Sequence, residues 1–192
     1  MLGSSAVTLL QAATDTAVGV AVNEGGRLIV WGLDAGGTLV QRAEPASSGV
    51  NDVTISGDGR VVAAVSADGT ARLWTAEGVA LPTGRWATSR VGDVALSADG
   101  ETVLLGTTDG TALIGSTDAA TPLRTLGDFG VWPAQLSSDG TTTLTLGDHE
   151  SLTMRRVGDE SLSALVRYRT LTTGGISETA SCLHYVLNLA DR

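Results

Sequence analysis

From Gly49 to Thr75 the chain alternates short apolar runs with Asp-Gly pairs. Val53-Thr54-Ile55-Ser56 precedes Asp58-Gly59, Arg60 to Ser66 (RVVAAVS) precedes Asp68-Gly69, and Thr70-Ala71-Arg72-Leu73-Trp74 follows. Asp-Gly between apolar runs is a strong hairpin signal, because Gly enters the φ > 0 region without a Cβ penalty and Asp tolerates it. The pattern predicts a three-stranded antiparallel meander with two-residue type I′ turns at the Asp-Gly pairs. The middle run, Val61 to Val65, is wholly apolar, as expected of a strand covered on both faces. The third run alternates, which predicts one wetter face.

The same phrase recurs. Residues 6–32, 49–75, 90–116 and 130–156 align with their first turn acids at Asp15, Asp58, Asp99 and Asp139, at spacings of 43, 41 and 40 residues. A fourth, weaker run closes each of the first three units: Thr38 to Arg42, Val79 to Leu81, and Pro122 to Leu126. Looser connections follow at Ala43 to Ser48, Thr83 to Ser89 and Gly127 to Gly130. Four strands in about 40 residues is the period of a propeller blade, a twisted sheet that covers its faces by stacking on its neighbours. The fold class is therefore all-β, a β-propeller or partial propeller of about four four-stranded antiparallel blades. The blades fall at 6–43, 49–84, 90–126 and 130–170. Residues 171–192 form a tail or an incomplete fifth blade, with alternation around Ser181 to Leu187.

The phrase ISGDGRVVAAVSADGTARLW resembles the repeat of WD-repeat β-propellers, in which Ser-x-Asp-Gly ends the first strand and Trp ends the third. That family often carries a polar relay of His, Ser or Thr, Asp and Trp. Ser66, Asp68 and Trp74 match three of its members, while the Gly-His pair before the first strand is missing. Trp31 holds the same place in the first unit; Gly115 and Arg155 replace it in the third and fourth. The resemblance covers roughly residues 6–170 and implies a propeller that displays loops to protein partners. Family members commonly close with more blades than four. A small closed ring, an open arc, a ring shared between chains and a fragment of a longer protein all remain open. An arc would leave blade edges unpaired and prone to self-association.

Composition narrows the function. There are 21 acidic and 12 basic residues, a formal charge of −9, and every basic residue is Arg. Such a field repels phosphate backbones and anionic membranes, so neither nucleic acid nor membrane is expected as a partner. The absence of Lys points to the codon bias of a high-GC bacterium. One cysteine, Cys182, cannot form an intrachain disulfide. No positively charged leader segment and no run near the roughly 18 apolar residues of a membrane span is present, which predicts a soluble, cytoplasmic protein.

Catalytic chemistry finds little support. The Asp-Gly pairs at 58–59, 68–69, 99–100, 109–110 and 139–140 read as turns on separate blades, not as a carboxylate cluster. His149 sits at a turn position where other units carry Gly, and His184 lies two residues from Cys182 on one strand face. Neither has the ligand spacing of a zinc site, and no phosphate-binding glycine loop, Gly-x-Ser-x-Gly elbow or Cys-x-x-Cys is present. No catalytic residue, cofactor or metal is expected. The candidate partner surface lies where each first strand begins: Asn51 and Asp52, Arg90 and Asp93, with Trp86 and Trp132 beside them. Trp and Arg carry much of the energy of protein interfaces. The expectation is a non-enzymatic scaffold for an unidentified protein partner. One alternative is a subunit that completes a larger propeller in an oligomer or multidomain regulator. The other is a propeller enzyme such as a lactonase-like hydrolase, which needs convergent acids or a metal that the sequence does not supply.

Overall fold

The computed structural model describes residues 6–45, 47–82, 90–118, 122–128, 134–147, 151–158 and 162–167. They fold into sixteen strands in four separate antiparallel sheets, each built from four strands consecutive in sequence. The first sheet holds β1 (Val7–Ala12), β2 (Val18–Asn23), β3 (Leu28–Leu33) and β4 (Leu39–Ala43). The second holds β5 (Val50–Ile55), β6 (Val61–Ser66), β7 (Ala71–Thr75) and β8 (Ala80–Leu81). The third holds β9 (Val91–Leu96), β10 (Thr102–Thr107), β11 (Thr111–Ser116) and β12 (Arg124–Asp128). The fourth holds β13 (Ala134–Leu136), β14 (Thr142–Gly147), β15 (Ser151–Arg156) and β16 (Leu162–Arg167). No helix is found among the described residues. The closing strand of each sheet had the weakest sequence signal: β8 is only two residues long, and β12 starts two residues later than its apolar run suggested.

The sheets stack through three aliphatic cores. Val20, Val22 and Val30 of the first sheet meet Val53, Val62 and Trp74 of the second. Ala63, Val65 and Leu73, on the opposite face of the second sheet, meet Val94, Val103 and Leu105 of the third. Leu104 and Ile114 of the third meet Ala134 and Leu136 of the fourth. Val62, Ala63, Ala64 and Val65 are all buried because alternate residues of β6 point to different neighbouring sheets. That is the physical reason for its unbroken apolar run.

The turns depart from the predicted type. At the Asp68-Gly69 hairpin, Gly69 N–H donates to Ser66 O at 2.8 Å and Ser66 N–H to Thr70 O at 3.0 Å. The loop thus has three residues, with Gly69 at φ +79° forming the bulge position after a type I turn. Asp58-Gly59 is similar with one more residue: Gly59 N–H donates to Ser56 O at 2.9 Å, and Ser56 N–H to Val61 O at 2.9 Å. A Ser or Thr hydroxyl locks most of these loops by donating to the turn acid, as from Ser56 to Asp58 at 2.6 Å, Ser137 to Asp139 at 2.6 Å and Thr107 to Asp109 at 2.5 Å. The Ser-x-Asp-Gly phrase is a self-contained turn, which accounts for its recurrence.

Backbone bonds also cross between sheets at both ends of the stack. At one end, Asp15 N–H donates to Gly57 O at 3.0 Å, Asp58 N–H to Ala98 O at 2.8 Å and Ala98 N–H to Ser138 O at 2.7 Å. At the other, Val50 N–H donates to Gly26 O at 3.1 Å and Val91 N–H to Gly69 O at 2.8 Å. Gly26, at φ +67°, lies so close to the second sheet that a Cβ there would sit 2.6 Å from Gly49 Cα. Gly37, at φ +78°, has open space around it. Gly37→Ala is therefore expected to cost about 1–2 kcal/mol from left-handed strain alone. Gly26→Ala adds a backbone collision, worth roughly 1–3 kcal/mol more. Urea unfolding of the two variants measures the difference; equal losses would show that the inter-sheet contact at Gly26 contributes nothing.

Candidate functional site

The sequence singled out the starts of β5 and β9, and the structure shows an irregularity there. The register of β1 against β2 shifts between Val7 and Leu9, that of β5 against β6 between Val50 and Asp52, and that of β9 against β10 between Val91 and Asp93. Thr8, Asn51 and Gly92 are the extra residues of three equivalent β-bulges. A bulge bends its strand and re-aims the neighbouring side chain. In the second and third sheets the re-aimed side chain is an aspartate.

Asp52 is half-buried and reaches the next sheet. One carboxylate oxygen accepts the Val53 N–H at 2.9 Å, and the other accepts the Val94 N–H, 42 residues on, at 3.0 Å. Asp93 repeats the contact one sheet further, accepting the Ala134 N–H at 2.6 Å. β5, β9 and β13 are each the first strand of their sheet and lie at its edge. Each Asp thus satisfies an N–H on the open edge of the following sheet's first strand. Asp52 also hydrogen-bonds Asp93, which places two acids side by side. Burial, reinforced by the Asp93 hydrogen bond and its charge, pushes the Asp52 carboxyl up to about 7, while the N–H groups of Val94 and Val53 act the other way.

The remaining candidates divide. Asn51 and Arg90 are exposed. Arg90 lies along the Gly69 turn, its guanidinium donating to Ala67 O. Trp86 and Trp132 lie outside the described residues, as do His149, Cys182 and His184. The relay positions are rearranged: Asp68 accepts the N–H and hydroxyl of Thr70 at 2.9 and 2.7 Å and pairs with Arg72 at 3.1 Å, and Arg72 also donates to Ser66 at 3.2 Å. Trp74 is buried in the core between the first two sheets. Where Gly115 stands in place of a Trp, Leu123 packs over the bare backbone. Among the described residues, no group of three or more His, Cys, Asp and Glu is gathered as a metal site.

Sequence reasoning passed over two features of this end of the stack. The exposed Asp68–Arg72 pair belongs to the same surface as Asn51 and Arg90, because the Gly69 turn is bonded to Val91 and Ala67 N–H donates to Gly49 O at 2.7 Å. The acidic character of that turn was legible, but its proximity to the starts of β5 and β9 was not. The aspartates at those starts bind backbone within the stack, so the solvent-facing part of the candidate surface narrows to Asn51, Arg90, Asp68 and Arg72.

The acids respond to pH in opposite directions. Asp52 binds its proton more tightly folded than unfolded, so its contribution is complete below its ordinary value of 3.8 and is lost as pH rises through about 7. Exposed Asp68 is held down to about 2, chiefly by the Thr70 hydroxyl and N–H, and Ser97 and Ser137 hold Asp99 and Asp139 down likewise. The contribution of these three is present above 3.8 and fades as pH falls. Asp52→Asn, which keeps an acceptor for Val94, is expected to gain stability relative to the native chain as pH rises through about 7. Paired urea midpoints on either side of that pH measure it, and parallel curves would rule it out.

Comparison with known proteins agrees with this architecture. A family model described as WD domain, G-beta repeat, matches residues 37–75. That span starts just ahead of β4 and ends with β7, so the sequence repeat is offset by one strand from the structural sheet. The C-terminal WD40 domain of Sif2 superposes with a TM-score of 0.63 at 12% identity, over 84% of this chain and 48% of that one. The chain thus spans about half the length of that domain. No curated protein matches it. With one WD-type repeat recognised at residues 37–75 and four sheets stacked as blades, the chain has the fold of a partial β-propeller similar to that of WD40 domains.

Proposed function

We propose that the chain is a non-enzymatic protein-interaction scaffold, recognising its partner through the end of the stack where the first strands begin. The observation that carries this reading is the backbone beneath exposed polar side chains, hydrogen-bonded to the sheets on both sides. Val50 and Val91 bond to the turns of the preceding sheets, and Asp52 and Asp93 bond forward to the following ones. Asn51, Arg90, Asp68 and Arg72 therefore project from a surface that loses little conformational entropy on binding. Trp86 and Trp132 join the proposed surface through their sequence positions alone. A net charge of −9 favours a partner of basic or mixed character.

Affinity capture from a native extract, with the native chain and with an Asn51→Ala/Arg90→Ala variant, tests the surface. If the two residues are binding hot spots, the retained partner falls by about tenfold, the effect of roughly 1.4 kcal/mol. The melting temperature should fall only slightly, since both side chains are exposed and the one bond lost, from Arg90 to Ala67 O, is at the surface. Equal retention by the two proteins would remove this end of the stack from consideration. Asp93→Ala is the contrasting variant: it leaves the Ala134 N–H without its acceptor and is expected to cost about 1–3 kcal/mol of stability.

A further inference from the structure

Each sheet after the first turns one face towards the sheet before it, and the same repeat positions form that face. In the second sheet these positions hold Val53 opposite Ala64 and Ile55 opposite Val62. In the third they hold Val94 opposite Leu105 and Leu96 opposite Val103, with Leu113 beside Leu105 on the next strand. In the fourth they hold Ala134 opposite Thr145 and Leu136 opposite Thr143, with Thr153 beside Thr145. Hydroxyls thus replace aliphatic groups at the centre of the joint between the third and fourth sheets.

These hydroxyls are inside the stack. Thr143, Thr145 and Thr153 are 1%, 3% and 7% exposed. Ala134 and Leu136 pack on Leu104 and Ile114 of the third sheet, so the threonines opposite them face the same joint. Thr143 makes a long bond to Arg155 O, at 3.4 Å. Thr145 Oγ1 finds no hydrogen-bond partner among the described residues. A buried hydroxyl in that position has lost its hydration with no bond to compensate. The polar bonds that do cross this joint lie at its two ends. Asp93 accepts the Ala134 N–H at 2.6 Å where the first strands begin, and Ala98 N–H donates to Ser138 O at 2.7 Å at the opposite end.

We infer that the joint between the third and fourth sheets is a built-in opening point, at which the fourth sheet detaches while the first three stay stacked. Proteins open in cooperative parts, and those with the least buried apolar contact open first. The other two joints are filled with aliphatic side chains: Val20, Val22 and Val30 meet Val53 and Val62, and Ala63, Val65 and Leu73 meet Val94, Val103 and Leu105. Opening of the third joint would uncover Leu104 and Ile114. It would also free the Asp93 carboxylate from Ala134, on the strand that Arg90 precedes. Attachment of the fourth sheet thereby sets the state of an acid at the end where the first strands begin.

Native-state hydrogen exchange across low urea concentrations, read at single amides of the full chain, tests the inference. Amides of β14 and β15 are expected to exchange through an opening with a shallow urea dependence. Those of β6 and β10 are expected to exchange only with global unfolding, which has a steep one. Thr145→Val keeps the branched shape and removes the unpaired hydroxyl, so exchange in β14 should slow about tenfold. Equal protection and equal urea slopes at β6, β10 and β14 would overturn the inference. Unchanged or faster exchange at β14 in Thr145→Val would overturn it as well, by showing that the hydroxyl does not weaken the joint. Partner capture through Asn51 and Arg90 is scored separately, so failure of one reading leaves the other measurable.

Discussion

A four-stranded sheet has two faces, and nothing within it can shield both. In the central strand β6 every residue from Val62 to Val65 is buried, alternately against the sheet before and the sheet after. Fully burying one such side chain is worth about 1.5–3 kcal/mol, so a blade standing alone would forfeit much of its stability. Stacking is thus a condition of folding here, and the other features of the molecule keep the stacked sheets in register. Gly26 allows backbone to approach backbone, Gly69 leaves room for the Arg90 side chain, and the bonds from Val50 and Val91 tie the sheets together there.

The polar groups follow from the same requirement. Each first strand has an edge that no strand of its own sheet covers, and its N–H groups need acceptors. The bulges at Asn51 and Gly92 turn Asp52 and Asp93 towards those groups on the next sheet. The cost falls on Asp52, whose charge is disfavoured by burial beside a second acid. Asp68, Asp99 and Asp139 are the same residue type with the opposite behaviour, because their carboxylates lie in solvent and accept from Ser, Thr and turn N–H groups. Position, not identity, decides which acid is strained.

The same division sets the inward-facing acids apart from the exposed side chains beside them. At the end where the first strands begin, exposed side chains sit on backbone hydrogen-bonded to the neighbouring sheets, which is the basis for proposing that end as a recognition surface. The outer face of the first sheet has the chemistry of an internal core without its cover.

Much of the fold was legible in the sequence because its determinants are local. Period-two alternation, the Ser-x-Asp-Gly turns and their return every 40 to 43 residues depend only on neighbours along the chain, and they specified the class, the strand order and the blade unit. The exact turn type was not legible, since Asp-Gly fits both a two-residue turn and a three- or four-residue loop, and the flanking Ser hydroxyl settles between them. The site was legible only as a region. Asn51, Asp52, Arg90 and Asp93 were picked out by position, but whether a side chain faces solvent or the next sheet depends on a one-residue bulge and on a backbone N–H 41 or 42 residues away. Hydrophobic patterning could not separate Leu10 from Val53 either, since both are apolar residues at one repeat position. Sequence by itself determined the repeating blade; the tertiary structure decided which equivalent positions are covered, because burial is a property of the neighbouring sheet and not of the residue.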